Sequence, residues 1–225
     1  MLKDIMGISQ GDIVSFVGGG GKTTIIRELA GELVSEYSVA ITTTTHIYPI
    51  PGVRTVFEGG EVSDDNPIVF AWDMESSGKL VGVPDDRLKD IERDVLLIEA
   101  DGSKGRPLKT PAEWEPAVPR FTTITCVVIG LDVLGKGLNG QYVHRAERVC
   151  DLTGYALNSQ VDAKLIAKLL TAKGLLKGAR GRIFIILNKA DIAGLGAARD
   201  TAAYIKDSTG NDIIIRGNGL KYTTF

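Results

Sequence analysis

The sequence predicts a three-layer α/β fold: a mostly parallel sheet with helices on both faces and a small antiparallel β insertion. Three observations carry this. Apolar runs at residues 12–17, 94–100, 123–130 and 182–187 are near-continuous, as strands covered on both faces are. Between such runs the apolar residues recur at helical spacing. Glycine is in excess, with 27 in 225 residues against about 7% in ordinary usage, and four of them stand together where the first strand ends.

The elements follow in order. The run at 12–17 stops at Gly18, and from Lys22 onward Ile25, Ile26, Leu29, Ala30, Leu33 and Val34 make one helical face. A second strand at 38–42 leads into Thr42-Thr43-Thr44-Thr45-His46. Residues 53–83 carry short apolar pieces separated by Gly, Pro and Asp, which predicts antiparallel β-structure inserted into the single domain formed by residues 1–225. A helix is expected over 85–93, then the buried strand 94–100, then a loop over 101–120 rich in proline and charge. After the strand at 123–130 come helices near 143–152 and 161–170, the strand at 182–187, a helix near 197–206 and a last strand at 212–216.

Bulk properties narrow the function. A net charge of −2, from 26 basic and 28 acidic residues, argues against nucleic acid or an anionic membrane surface as the main partner. No apolar run approaches the ~18 residues of a membrane span, and residues 1–4 lack the apolar stretch of a signal peptide, so the chain reads as cytoplasmic. Cys126 and Cys150 are too few and too far apart for a disulfide framework; Cys126, in an apolar run, reads as a small core residue. With two His and two Cys in all, a protein-built structural zinc cluster is not expected.

The chemistry begins at Gly18-Gly19-Gly20-Gly21-Lys22-Thr23-Thr24. A strand, a glycine turn and an amphipathic helix in that order make a P-loop, whose backbone N–H groups cradle phosphate oxygens. Lys22 then reaches the β- and γ-phosphates of a nucleoside triphosphate and the Thr23 hydroxyl binds Mg2+. The usual spacing puts a glycine at position 16, where this chain has Phe16, so the turn is shortened or shifted. A phosphoryl site also needs a carboxylate at the end of a neighbouring buried strand. Glu99 and Asp101 end the most apolar one, on the same face by strand alternation, and one of the two is expected to hold the metal.

Next to them Lys104, Arg106 and Lys109 form a basic loop that either contacts phosphates or an acidic partner, or is simply solvated. His46 and His144 are each either hydrogen-bonded structural residues or contacts to water and substrate. Late in the chain, Asn188-Lys189-Ala190-Asp191 follows a strand and matches the element with which GTPases read guanine. A carboxylate at Asp191 accepts the two adjacent donors of guanine and repels the N1 acceptor of adenine. Lys189 lays its stem along the base or braces the glycine turn. GTP is thus expected over ATP.

The segments FVGGGGKTT (16–24), TTTTHI (42–47), EADGSKGRPLK (99–109) and NKAD (188–191), with PAEWEP (111–116), GLDVLG (130–135) and His144-Arg145 between, resemble the selenium-dependent hydroxylase accessory family, the YqeC-like proteins. The resemblance spans roughly residues 11–191, and that family has Phe-type residues at the position of Phe16. It implies a P-loop protein tied to maturation of selenium-dependent molybdenum hydroxylases. It carries over Lys22 and Thr23 for phosphate and Mg2+, Asp101 for the metal and Asp191 for the base. Three activities compete: a GTP-hydrolysing accessory protein acting on a molybdenum hydroxylase client or its cofactor; an ATP- or GTP-dependent kinase or transferase acting on a pterin cofactor or selenium compound, with Lys104, Arg106 and Lys109 holding the acceptor; and a nucleotide sensor without chemistry. The retained Lys22 and Thr23 weigh against the last.

Overall fold

A computed structural model describes residues 1–61, 64–172, 174–219 and 222–225. In chain order the elements are α1 (Leu2–Met6), β1 (Ile13–Gly18), α2 (Lys22–Leu33), β2 (Val39–Thr43), β3 (His46–Ile47), β4 (Arg54–Phe57), β5 (Ile68–Ala71), β6 (Asp73–Met74), β7 (Leu80–Val81), β8 (Val95–Glu99), β9 (Leu108–Lys109), β10 (Ile124–Gly130), β11 (Val143–His144), α3 (Ala146–Thr153), α4 (Ala163–Thr171), β12 (Arg182–Asn188), α5 (Ala190–Ala193), α6 (Leu195–Thr209), β13 (Asp212–Ile215) and β14 (Thr223–Thr224).

Nine strands form one sheet in the order β14-β13-β12-β10-β1-β8-β2-β5-β4. Every neighbouring pair is parallel except β13 with β14. Strand alternation sorts the side chains onto two faces. Val14, Phe16, Ile41, Leu97, Cys126 and Ile186 pack with Ile25, Ile26, Leu29 and Leu33 of α2. Val17, Leu96, Ile98, Val127, Ile185 and Ile213 pack instead with α4 and α6, through residues such as Leu165, Leu169, Ala198 and Ile205. Helices therefore cover both faces, as expected. Phe16 is fully buried under α2, which is why no glycine stands there: the chain is still strand at that point, and β1 runs on to Gly18 before the turn. Cys126 is core, and burial pushes its thiol well up.

Some local expectations are corrected. Within residues 53–83 the two longer strands, β4 and β5, extend the main sheet in parallel. The antiparallel part is a separate sheet in which β7 lies between β3 and β6. Residues 85–93 hold only a 3-10 turn at Leu88–Asp90, because Pro84, Asp85 and Asp86 give the segment no helical apolar face. The helix expected from 143 starts at Ala146, since Val143 and His144 pair with Leu108 and Lys109. That pairing also gives the loop over 101–120 a short strand. The N-terminal α1, against α2, was not expected.

The sheet's order places β1 between β8 and β10. The chain crosses from one half of the sheet to the other at this point, and such a switch opens a crevice at the carboxyl ends of the strands. No described helix is long and apolar enough to cross a membrane.

Candidate functional site

The glycine turn lies in this crevice. Gly18 and Gly20 have φ of 96° and 86°, a region L side chains avoid. A Cβ on Gly18 would meet Val128 O at 2.3 Å, and one on Gly20 would meet Gly130 N at 2.3 Å. The backbone itself is held there: Gly19 N–H donates to Val128 O at 2.9 Å and Gly20 N–H to Arg106 O at 3.1 Å. Gly18, Gly19 and Gly20 are thus required by the neighbouring main chains of β10 and the 106–107 loop, whatever the turn binds. The helical bond of α2 nearest the turn runs from Ile25 N–H to Gly21 O. The amides of Lys22, Thr23 and Thr24 therefore precede the helical ladder, at the positive end of the helix dipole.

Lys22 and the β8 carboxylates come together at this end. Lys22 is 4% exposed; its ammonium donates to Gly18 O at 2.7 Å and lies 3.1 Å from Asp101 Oδ1 and 3.7 Å from Glu99 Oε1. Glu99 and Asp101 nevertheless differ. Glu99 Oε2 accepts the Thr23 hydroxyl at 2.7 Å, so these two oxygen groups sit together beside the amides of α2. Asp101 faces inward: it accepts Gly18 N–H at 3.1 and 3.0 Å and pairs with both Lys22 and Lys109.

Lys109 is not a solvated loop cation. It is fully buried, 3.1 Å from Asp101 and 2.8 Å from Glu115, and it donates to Gly102 O. Arg145 then grips Glu115 with two bonds, at 2.7 and 3.1 Å. A line of alternating charge, Lys22–Asp101–Lys109–Glu115–Arg145, thus runs from the glycine turn through buried Asp101 and Lys109 to the part-exposed Arg145. Glu115 and Arg145 were not singled out from the sequence. A signal was there, since a glutamate between Trp114 and Pro116 and an arginine after His144 both lie in segments the resemblance covers.

Burial raises the Glu115 carboxyl, but the hydrogen bonds from Arg145 and Lys109 outweigh it and hold the group down at about 2, against an ordinary 4.5. Its stabilising contribution is therefore complete above about pH 4.5 and is lost as pH falls through 2. Glu115→Gln is expected to flatten the acid limb of stability between those pH values, read as urea midpoints at each pH; an unchanged slope would remove Glu115 from the account. Burial, then the cations Arg145, Lys109 and Lys104, push His144 down to about 4. It is therefore neutral at pH 7.

On the other flank, Asn188 Nδ2 donates to Gly20 O at 2.7 Å, while its Oδ1 accepts from Arg216, which is itself paired with Glu28 of α2. Asn188 is thus the residue that braces the turn. Lys189 reaches Asp132 at 2.7 Å. Asp191 is exposed, and one of its oxygens accepts Asn218 N–H at 3.0 Å. These residues lie past β10 from the turn.

Beyond Lys22 and Thr23, on the β8 and β2 side, a cleft of about 610 Å³ opens between residues 46–51 and 102–105. Lys104 lines it. Arg106 does not; its Nε donates to Gly140 O at 2.8 Å. His46 stands at the rim, 3.1 Å from Glu75.

Fold and site define an α/β protein with a glycine turn and a lysine–carboxylate cluster at the switch point of a parallel sheet. The model of the family described as YqeC protein matches residues 14–147, a span that holds the glycine turn and the whole charge line. The uncharacterised protein YqeC of Escherichia coli (strain K12) is 34% identical over 179 residues, 73% of this chain and 70% of that one. The chain belongs to the YqeC family.

Proposed function

We propose that the chain binds a nucleoside triphosphate with Mg2+ at Gly18–Thr24, preferring GTP, and hydrolyses it as an accessory protein to selenium-dependent molybdenum hydroxylases. The observation that carries the nucleotide reading is the meeting of Lys22 and Thr23 with Glu99 at the N-terminus of α2. A buried ammonium, a hydroxyl paired with a carboxylate, and three helix-end amides form a set of groups suited to a metal-bound phosphate chain. Hydroxyl and carboxylate oxygens suit Mg2+, which takes few protein ligands and completes its shell with phosphates and water. Of the two carboxylates, Glu99 fits the metal role, because Asp101 is already committed to Gly18 N–H, Lys22 and Lys109. Mg2+ would supply neutralisation of the phosphate charge. Lys22 would shift from Gly18 O toward the phosphates, and Asn188 would keep the turn in place. The accessory role rests on the resemblance of the motifs and on no single residue.

The base preference is tested by equilibrium binding of GTP and ATP, each with Mg2+, to the wild type and to Asp191→Ala. A GTP preference that vanishes in the variant, by about tenfold or more, is the expected result. Equal or better ATP binding by the wild type would make Asn188–Asp191 a structural turn.

One observation favours the second reading, transfer of a phosphoryl or nucleotidyl group to a small molecule. The cleft beyond Thr23 offers room for an acceptor. Lys104 is the one residue of the expected basic trio that lines it.

A further inference from the structure

We propose that this cleft is a second ligand site, built for a small anion carrying a flat apolar group. The proposal rests on the nucleotide reading for its neighbour, with which the cleft shares Gly21, Lys22, Thr23 and Glu99 at one end; its other walls are separate residues.

Position gives the first argument. Asn188 ends β12 and Asp191 follows it, whereas the cleft opens on the far side of β1, between the segments that follow β2 and β8. None of Asn188, Lys189 and Asp191 lines it. A nucleotide with its phosphates at Lys22 and its base toward Asp191 occupies only the end of the cleft at Gly21, Lys22, Thr23 and Glu99, and leaves the part between residues 46–51 and 102–105 to something else. At about 610 Å³ it falls within the roughly 300–1,000 Å³ of small-molecule sites.

Charge gives the second. Arg27, Lys79 and Lys104 line the cleft beyond Lys22, against the single carboxylate of Glu99, which is already bonded to Thr23. Among the described residues neither Arg27 nor Lys104 has an ion-pair partner. Arg27 stands one turn along α2 from Thr23, facing solvent. Lys104 is held at φ 51°, a left-handed conformation that non-glycine residues seldom adopt, in the loop that forms the opposite wall. Unpaired cations on facing walls of a concave site focus a positive potential that attracts anions.

The cleft also has an apolar wall. Tyr48 is 64% exposed, with Pro49 and Pro51 beside it on the cleft wall. The Lys79 ammonium lies 5.2 Å from its ring centroid. A flat group against Tyr48 and the prolines, with its anionic end toward Arg27 and Lys104, satisfies all of these residues together.

Inorganic phosphate and phenyl phosphate separate the two parts of the proposal. Binding of each is measured by calorimetry or ligand-observed NMR, with and without saturating Mg2+ and a non-hydrolysable GTP analogue. We expect phenyl phosphate to bind whether or not the analogue is present, and tighter than inorganic phosphate. The double variant Arg27→Ala/Lys104→Ala should weaken both probes by about tenfold or more. Tyr48→Ala should erase the difference between them. All three side chains are exposed, and an unchanged Tm would show the fold intact. Displacement of phenyl phosphate by the analogue would assign the cleft to the nucleotide. Unaltered affinity in the variants, or no wild-type binding up to about 10 mM, would equally overturn the proposal. If the analogue itself fails to bind, the nucleotide reading falls, and the arm without nucleotide still decides the cleft.

Discussion

Asp101→Asn is expected to lower the free energy of unfolding by about 3–5 kcal/mol, the usual cost of removing one partner from a buried ion pair. The side chain is 2% exposed and serves three groups at once. Its oxygens accept Gly18 N–H at 3.1 and 3.0 Å and stand 3.1 Å from each of the Lys22 and Lys109 ammoniums. The amide keeps the shape and can still accept from Gly18, but it places no negative charge between two buried cations. Lys109 would fall back on Glu115 and Gly102 O, and Lys22 on Gly18 O and a Glu99 oxygen 3.7 Å away. Urea unfolding followed by circular dichroism reads the change. A loss below about 1 kcal/mol, the range of exposed ion pairs, would show that these fallback partners suffice and that Asp101 is not the anion on which the line of charge depends.

The fate of Asp101 shows what kind of information the sequence holds. Apolar runs and their spacing report which backbone is buried, so the central strands were legible to within a residue or two. The glycine turn was legible because so many adjacent glycines before a helix have few other uses. Direction is harder to read. The strands β4 and β5 look like any short strands between Gly and Pro, and nothing local says that each returns to run parallel to β2. Partnership is harder still. Lys109 is eight residues past Asp101 in a segment full of Gly, Pro and charge, and only the return of the chain at β9 brings it back to that carboxylate. Glu115 and Arg145 are thirty residues apart in sequence, and a charge in a polar loop reads as solvated until its counter-ion is located. The same limit kept Arg216 out of view, although it ties Asn188 to Glu28 and so sets the stiffness of the turn's far flank. Among the carboxylates, alternation placed Glu99 and Asp101 on one face, but only the Thr23 hydroxyl separates them, since it bonds one and not the other.

Lys22→Ala is expected to separate binding from folding, which Asp101→Asn cannot do. Lys22 lies where the phosphates would enter, beside the amides of residues 22–24, and its own partners are a backbone carbonyl and carboxylates that other groups also hold. In the variant Asp101 keeps Gly18 N–H and Lys109, and Glu99 keeps Thr23. Stability should therefore fall less than in Asp101→Asn. Nucleotide binding should fall far more: one charge about 4 Å from a phosphate, at the effective dielectric of a protein surface, contributes about 4 kcal/mol before desolvation. With part of that spent on desolvation, affinity for Mg2+–GTP should weaken by about two to three orders of magnitude. Titration of a fluorescent GTP analogue, with the urea midpoint measured on the same preparation, reads both quantities. If the variant binds as the wild type does, phosphate is not held at the glycine turn. Its glycines would then be explained by the main chains of β10 and the 106–107 loop alone, and Lys22 would be a structural cation for Asp101. If binding is lost while the fold persists, the cluster at the start of α2 is a phosphate site, and Thr23 and Glu99 become the next residues to change.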